Sequence, residues 1–132
     1  VNRLLLVEDE IMVRTVTREV FEEGGFEVVE AGTGDEAIRL LDHLDQVDIL
    51  VTDVRMPGRC DGVDVVHHAR FRFPQIPVIV ATGYAANIRE RLKPFSPEAV
   101  LIEKPYRLDR LAALARHLSG ENERGIKPRD FT

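Results

Sequence analysis

A single cysteine, Cys60, stands in 132 residues, so no internal disulfide can form. The fold has to rest on its apolar core, as expected of a reducing compartment such as the cytoplasm. No apolar run approaches the roughly 20 residues that cross a bilayer, and the N-terminus lacks the charged-then-apolar pattern of a secretion signal. Direct membrane insertion is therefore not expected. A long basic run is missing too: 18 Lys and Arg against 23 Asp and Glu leave a formal charge of -5. That balance argues against direct nucleic-acid binding, which depends on cations neutralising phosphates. Internal repeats and low-complexity stretches are absent, and aromatics are only 6% of the chain. What is there, 44% hydrophobic and 31% charged residues, is the composition of a globular protein with one domain's worth of core.

Four short apolar runs, residues 4–7, 49–51, 78–81 and 100–102, are bounded by polar or turn residues and read as strands buried on both faces. A fifth, 26–31, is less apolar and suits a sheet edge. Helical patterns lie between them. Met12, Val16 and Val20 recur every fourth residue before Gly24-Gly25, where glycine tolerates the left-handed conformation that ends helices. Thr33 and Glu36 have capping-box spacing and open a helix striped by Ala37, Leu40, Leu41 and Leu44. Val63 and Val66 begin a third helix, and Leu108, Leu111, Ala112, Ala115 and Leu118 stripe the last. Between Thr82 and Val100 only Ile88 and Leu92 mark a helical face, and Pro94 and Pro97 interrupt it, so the fourth helix should be short. Strict alternation predicts an α/β fold, a five-stranded parallel sheet doubly wound with helices on both faces, because each crossover must return the chain to the same end of the sheet. The domain is expected over 1–118, with 119–132 a flexible tail containing Gly120, Gly125, Pro128 and mixed charges.

In open parallel sheets ligands bind beyond the carboxyl ends of the strands, and the unusual polar residues fall there. Glu8, Asp9 and Glu10 follow the first strand, Asp53 closes the third, Thr82 the fourth and Lys104 the fifth. Carboxylates gathered in one place repel each other unless they protonate or a cation neutralises them, and a hard divalent ion such as Mg2+ suits oxygen ligands. Such an ion would assist attack by an Asp carboxylate on phosphorus to give an acyl phosphate. Thr82 could then donate to a phosphoryl oxygen and Lys104 supply a positive point charge.

Val7-Glu8-Asp9-Glu10, Asp53-x-x-Met56-Pro57, Ala81-Thr82-Gly83 and Lys104-Pro105 together resemble the response-regulator receiver domain of two-component systems, in the usual order over residues 3–118. The resemblance implies strand order 2-1-3-4-5 and a cis Lys104-Pro105 bond. It implies that Asp53 accepts phosphate from a histidine kinase or histidine phosphotransfer protein and passes a signal to a downstream protein. Asp9, Asp53 and the Arg55 backbone carbonyl would hold Mg2+, with Glu8 assisting through water, while Thr82 and Lys104 would contact the phosphoryl group. Three features depart from the common pattern. Glu8 stands where an aspartate is usual, the loop between Pro57 and Gly62 is one residue longer, and Leu101 occupies a position often aromatic, so an aromatic switch there cannot operate. Arg55 and Tyr84, two places after Asp53 and Thr82, should border the path of water toward an acyl phosphate, with Tyr84 shielding it.

The alternative is a pseudo-receiver, an interaction module that signals without phosphate. A phosphatase resembling the haloacid dehalogenases would need a second Asp two residues after Asp53, where Arg55 stands. A nucleotide-binding fold would need a glycine-rich loop where the acids stand. His67 and His68, adjacent on a helix, point in different directions and read as surface residues. Arg89, Arg91 and Lys93 read as a solvated helix face, and Cys60 as an inert loop residue. A stand-alone regulator and a receiver within a longer kinase or regulator both fit the chain.

Overall fold

The computed structural model describes residues 2–120. Ten elements alternate along the described residues: β1 (Arg3–Val7), α1 (Ile11–Glu23), β2 (Glu27–Ala31), α2 (Gly34–His43), β3 (Ile49–Asp53), α3 (Gly62–Arg72), β4 (Val78–Thr82), α4 (Ala85–Leu92), β5 (Val100–Glu103) and α5 (Leu108–Leu118). All strand pairs are parallel and the order is β2-β1-β3-β4-β5, as the resemblance implied. The most apolar strands take the middle. β3 and β4 are buried along their whole length, whereas β2 lies at an edge with Glu27 exposed. β5 forms the other edge, and only Ile102 in it is buried. The run 100–102, read as buried on both faces, does pack on both cores, Leu101 on one and Val100 and Ile102 on the other, but as an edge strand it leaves Val100 and Leu101 only partly buried.

Side chains alternate across the sheet, so each strand feeds two cores. Leu5, Val7, Leu50 and Val80 point to the face covered by α2, α3 and α4. Leu4, Leu6, Val51 and Ile79 point to the face covered by α1 and α5. Burial of each such aliphatic side chain contributes about 1.5–3 kcal/mol before conformational entropy is counted.

α1 does not bury the stripe expected of it. Met12 is 80% and Val16 48% exposed, while Thr17 and Phe21 face the core. An every-fourth-residue ladder drifts around a 3.6-residue helix, so only its last member, Val20, packs against the core. Phe21 meets Phe26 edge to face at 5.9 Å, and Gly25 ends the helix at φ 96°. The box at Thr33 is half made: Thr33 accepts from the Glu36 amide at 3.1 Å, but the Glu36 carboxylate takes the Gly32 amide at 2.8 Å. A reciprocal box opens α3 instead, between Asp61 and Asp64. α4 is short as expected, buries Ile88 and Leu92 and stops before Pro94. α5 buries Leu114 and His117 besides the anticipated Leu111, Ala112 and Ala115. Ser119 and Gly120 follow as a turn, and the rest of the expected tail, 121–132, lies outside the described residues. Lys104-Pro105 is cis, and so is Ser96-Pro97. Among the described residues no helix is long and apolar enough to cross a membrane.

Candidate functional site

Because every strand is parallel, all five carboxyl ends open on one edge of the sheet. Register then decides which residues meet there. Val7 is level with Thr52, Asp53 with Ala81 and Thr82 with Glu103, so the acids after β1, the end of β3 and the end of β4 form one row. Lys104 joins it as its amide donates to the Thr82 carbonyl at 2.8 Å.

Carboxylate oxygens of Glu8, Asp9 and Asp53 lie within 4.8 Å of one another. Glu8 and Asp53 are buried, at 4% and 6% exposure, and Asp9 is exposed. Lys104 Nζ lies 2.7 Å from Asp53 Oδ1. Burial, reinforced by its hydrogen bond to Asp53, pushes the Glu8 carboxyl up to about 8 against the opposing pull of the Glu10 amide and Lys104. The protonated form of Glu8 is thereby favoured, with a hydrogen bond to Asp53. Burial disfavours the Lys104 ammonium, but the adjoining Asp53 outweighs it and the lysine is held above its ordinary range.

Thr82 is 6% exposed, and its Oγ1 accepts from the Tyr84 amide at 3.1 Å. Its own hydroxyl proton remains to be donated. Arg55 lies on the β3–α3 loop with its guanidinium 4.7 Å from the centre of the Tyr84 ring. The longer loop is pinned: Gly58 turns it at φ 105°, and the Cys60 amide donates to Asp35 at the start of α2 at 3.1 Å. Gly62 closes it against the end of β3, since a Cβ there would collide with the Asp53 carbonyl. Glu10 is the residue before α1 and makes no side-chain cap.

The remaining sequence candidates lie elsewhere. His68 pairs with Asp42 at 2.6 Å and His67 packs on Phe95, so the two imidazoles do not converge. Arg89, Arg91 and Lys93 are all exposed, as read, with Arg91 paired to Asp61 at 2.9 Å and Lys93 to Glu90 at 2.8 Å.

Two parts of the site were not anticipated. Tyr106, half-buried two residues after Lys104, has its hydroxyl pushed above the ordinary range by burial and then by Asp53. A groove of about 740 Å³ runs from Glu8 and Lys104 between Tyr106 and the outward Met12, Val13 and Val16 of α1. The signals were an aromatic directly after Lys104-Pro105 and the run Ile11-Met12-Val13, more apolar than one helix face can bury.

Residues 4–116 match the sequence model of the response regulator receiver domain. The chain belongs to that family. The receiver is 34% identical over 116 residues to sensor kinase CckA of Brucella abortus, which covers 87% of this chain and 12% of the kinase. It is 34% identical over 112 residues to the transcriptional regulatory protein PdtaR of Mycobacterium tuberculosis, covering 83% of this chain and 53% of that protein. The chain thus spans about half of one relative and a small part of the other. The response regulator TrrA of Thermotoga maritima, solved in complex with Mg2+ and BeF, superposes with a TM-score of 0.76 at 26% identity, covering 89% of this chain and 99% of that one.

Proposed function

We propose that this receiver of a two-component system takes a phosphoryl group onto Asp53 from the histidine of a kinase or phosphotransfer protein in a Mg2+-dependent step, and thereby changes its contacts with a downstream protein. The observation that carries this reading is the Lys104–Asp53 pair at 2.7 Å set against two further carboxylates within 4.8 Å. A structural ion pair needs no such crowd of acids beside it.

The residues fit a hard cation. All three side chains offer oxygen, and their carboxylate oxygens lie within 4.8 Å of one another, the donor type and spacing a hard cation takes. Asp9, Asp53 and the backbone carbonyl of Arg55 would hold the ion, with Glu8 assisting through water. When bound, Mg2+ supplies positive charge to the transferring phosphoryl oxygens.

The chain's own groups do the rest. A carboxylate oxygen of Asp53 attacks phosphorus, the N–P bond of the donor breaks, and its electron pair returns to the imidazole nitrogen. Lys104 moves from the carboxylate toward the phosphoryl oxygens, and Thr82 donates its free hydroxyl proton to another. Transfer from a histidine also needs a donor surface within reach of Asp53. The groove beside α1 offers an apolar one, lined by Met12, Val13 and Val16, with Met12 80% exposed.

The test is to mix the purified domain with Mg2+ and acetyl phosphate and weigh it beside Asp53→Asn. One added phosphoryl mass in the wild type alone supports the reading. No addition, with acetyl phosphate or a histidine-phosphorylated donor, in a folded protein that binds Mg2+ would leave the pseudo-receiver.

A further inference from the structure

Arg14 plays no part in the chemistry just described, yet its guanidinium reaches from α1 to the acidic turn. Nη1 donates to the backbone carbonyl of Glu8 at 2.9 Å, and Nε donates to Glu30 Oε1 on β2 at 3.2 Å. The other Glu30 oxygen is taken by Arg18 at 2.8 Å, which fixes the carboxylate that fixes Arg14. The Arg14 side chain is 19% exposed and Glu30 29%, so the pair is better sheltered than an ordinary surface bridge. Each polar end of the residue before Asp9 is then tied down. The Glu8 amide donates to the Ala31 carbonyl at 3.0 Å, its carbonyl accepts from Arg14, and its carboxylate accepts from the Glu10 amide at 3.0 Å.

We infer that Arg14 is a positioning residue for the metal-binding acids: it clamps the Glu8–Asp9 peptide so that both carboxylates stay aimed at Asp53. The inference rests on the Mg2+ reading given above. An arginine suits the task because two of its nitrogens, held in one rigid plane, address the carbonyl and the carboxylate together. The single nitrogen of lysine reaches one of them at a time. Space for the fork is provided by Gly32. Its φ is not positive, so an alanine is conformationally free to stand there, but the added Cβ would lie 2.9 Å from Arg14 Nη1. Because the obstructing atom is the tip of a flexible side chain, Gly32→Ala should push the fork off the Glu8 carbonyl while leaving every charge in place.

The experiment is a Mg2+ titration of the full chain followed by the amide NMR signals of Glu8, Asp9 and Glu10, with thermal midpoints recorded in parallel without metal. Arg14→Met should weaken Mg2+ about tenfold, the lower end of what loss of a group that orients a metal ligand costs. Arg14→Lys should fail to restore it, and Gly32→Ala should weaken it in the same direction with a midpoint close to wild type. A merely structural Arg14–Glu30 bridge would lower the midpoint of Arg14→Met and leave the Mg2+ affinity of the folded protein unchanged. Affinity within twofold of wild type in both Arg14→Met and Gly32→Ala overturns the inference alone. Absence of Mg2+ binding by the wild type overturns it together with the metal reading. Should Arg14→Met fail to fold, Gly32→Ala decides.

Discussion

Arg55 and Tyr84 meet across the mouth of the site, the guanidinium carbon 4.7 Å from the ring centre. One stands two residues after Asp53 and the other two residues after Thr82, so the contact bridges the two loops that flank Asp53. Tyr84 is 61% exposed, and such a cation–π pair at the surface is worth about 0.5–1 kcal/mol. If the pair screens an aspartyl phosphate from water, Tyr84→Ala should speed dephosphorylation by a factor of about two to five, the rate equivalent of that energy. Arg55→Ala should act in the same direction. The decay of purified phosphoprotein measures both, and an unchanged rate in Tyr84→Ala would end the shielding idea.

Glu8 makes stability without metal depend on pH in a stated direction. Its carboxyl is pushed from 4.5 to about 8 by burial and by Asp53. Between those values the native state holds a proton that the unfolded chain has lost, so stability falls as pH rises. The contribution is fully present below about 4.5 and lost above about 8. Thermal midpoints in chelator should therefore decline from pH 5 to pH 8, and Glu8→Gln should flatten the decline. Mg2+ added at pH 8 should raise the wild-type midpoint by mass action. A midpoint that rises with pH over this window would contradict the assignment.

Gly62 and Gly83 offer a matched pair of substitutions. A Cβ at Gly62 would collide with the Asp53 carbonyl and with Val54, all of it backbone, whereas nothing lies within 4 Å of one at Gly83. Neither glycine has a positive φ, so steric room alone separates them. Gly62→Ala should destabilise by about 1–3 kcal/mol, the usual cost of overpacking. Gly83→Ala should stay within about 0.5 kcal/mol of wild type. Urea denaturation of both variants decides, and equal effects would mean that the β3–α3 loop relaxes freely.

The sheet could be read from the chain because β3 and β4 are short runs of buried, mostly β-branched residues, a local signal that survives folding. Asp53, Thr82 and Lys104 were legible for a related reason: once all strands are parallel, their carboxyl ends must share an edge, whatever the helices do. The outward turn of Met12 was not legible. Two apolar ladders run along α1, and packing against β2 and α5 chooses the one through Phe21. Tyr106 was overlooked because its value comes from where the β5–α5 loop returns, and Arg14 because its partners, Glu8 and Glu30, are brought to it only when β1 and β2 pair.

If a phosphodonor docks on the exposed start of α1, a substitution there separates docking from chemistry. Met12 is 80% exposed and lines the groove that begins at Glu8 and Lys104, yet it contributes no group to Asp53. Met12→Glu should leave stability within about 0.5 kcal/mol, as expected of a surface substitution. Phosphorylation by acetyl phosphate, which on the proposed reading draws on Mg2+, the acids, Thr82 and Lys104 but not on Met12, should also be unchanged. Transfer from a histidine-phosphorylated protein donor should slow by at least about tenfold, because a charge placed in the apolar contact must be desolvated without a partner. Equal slowing with both donors would move Met12 into the acceptor machinery, and no slowing with either would place the donor on another face.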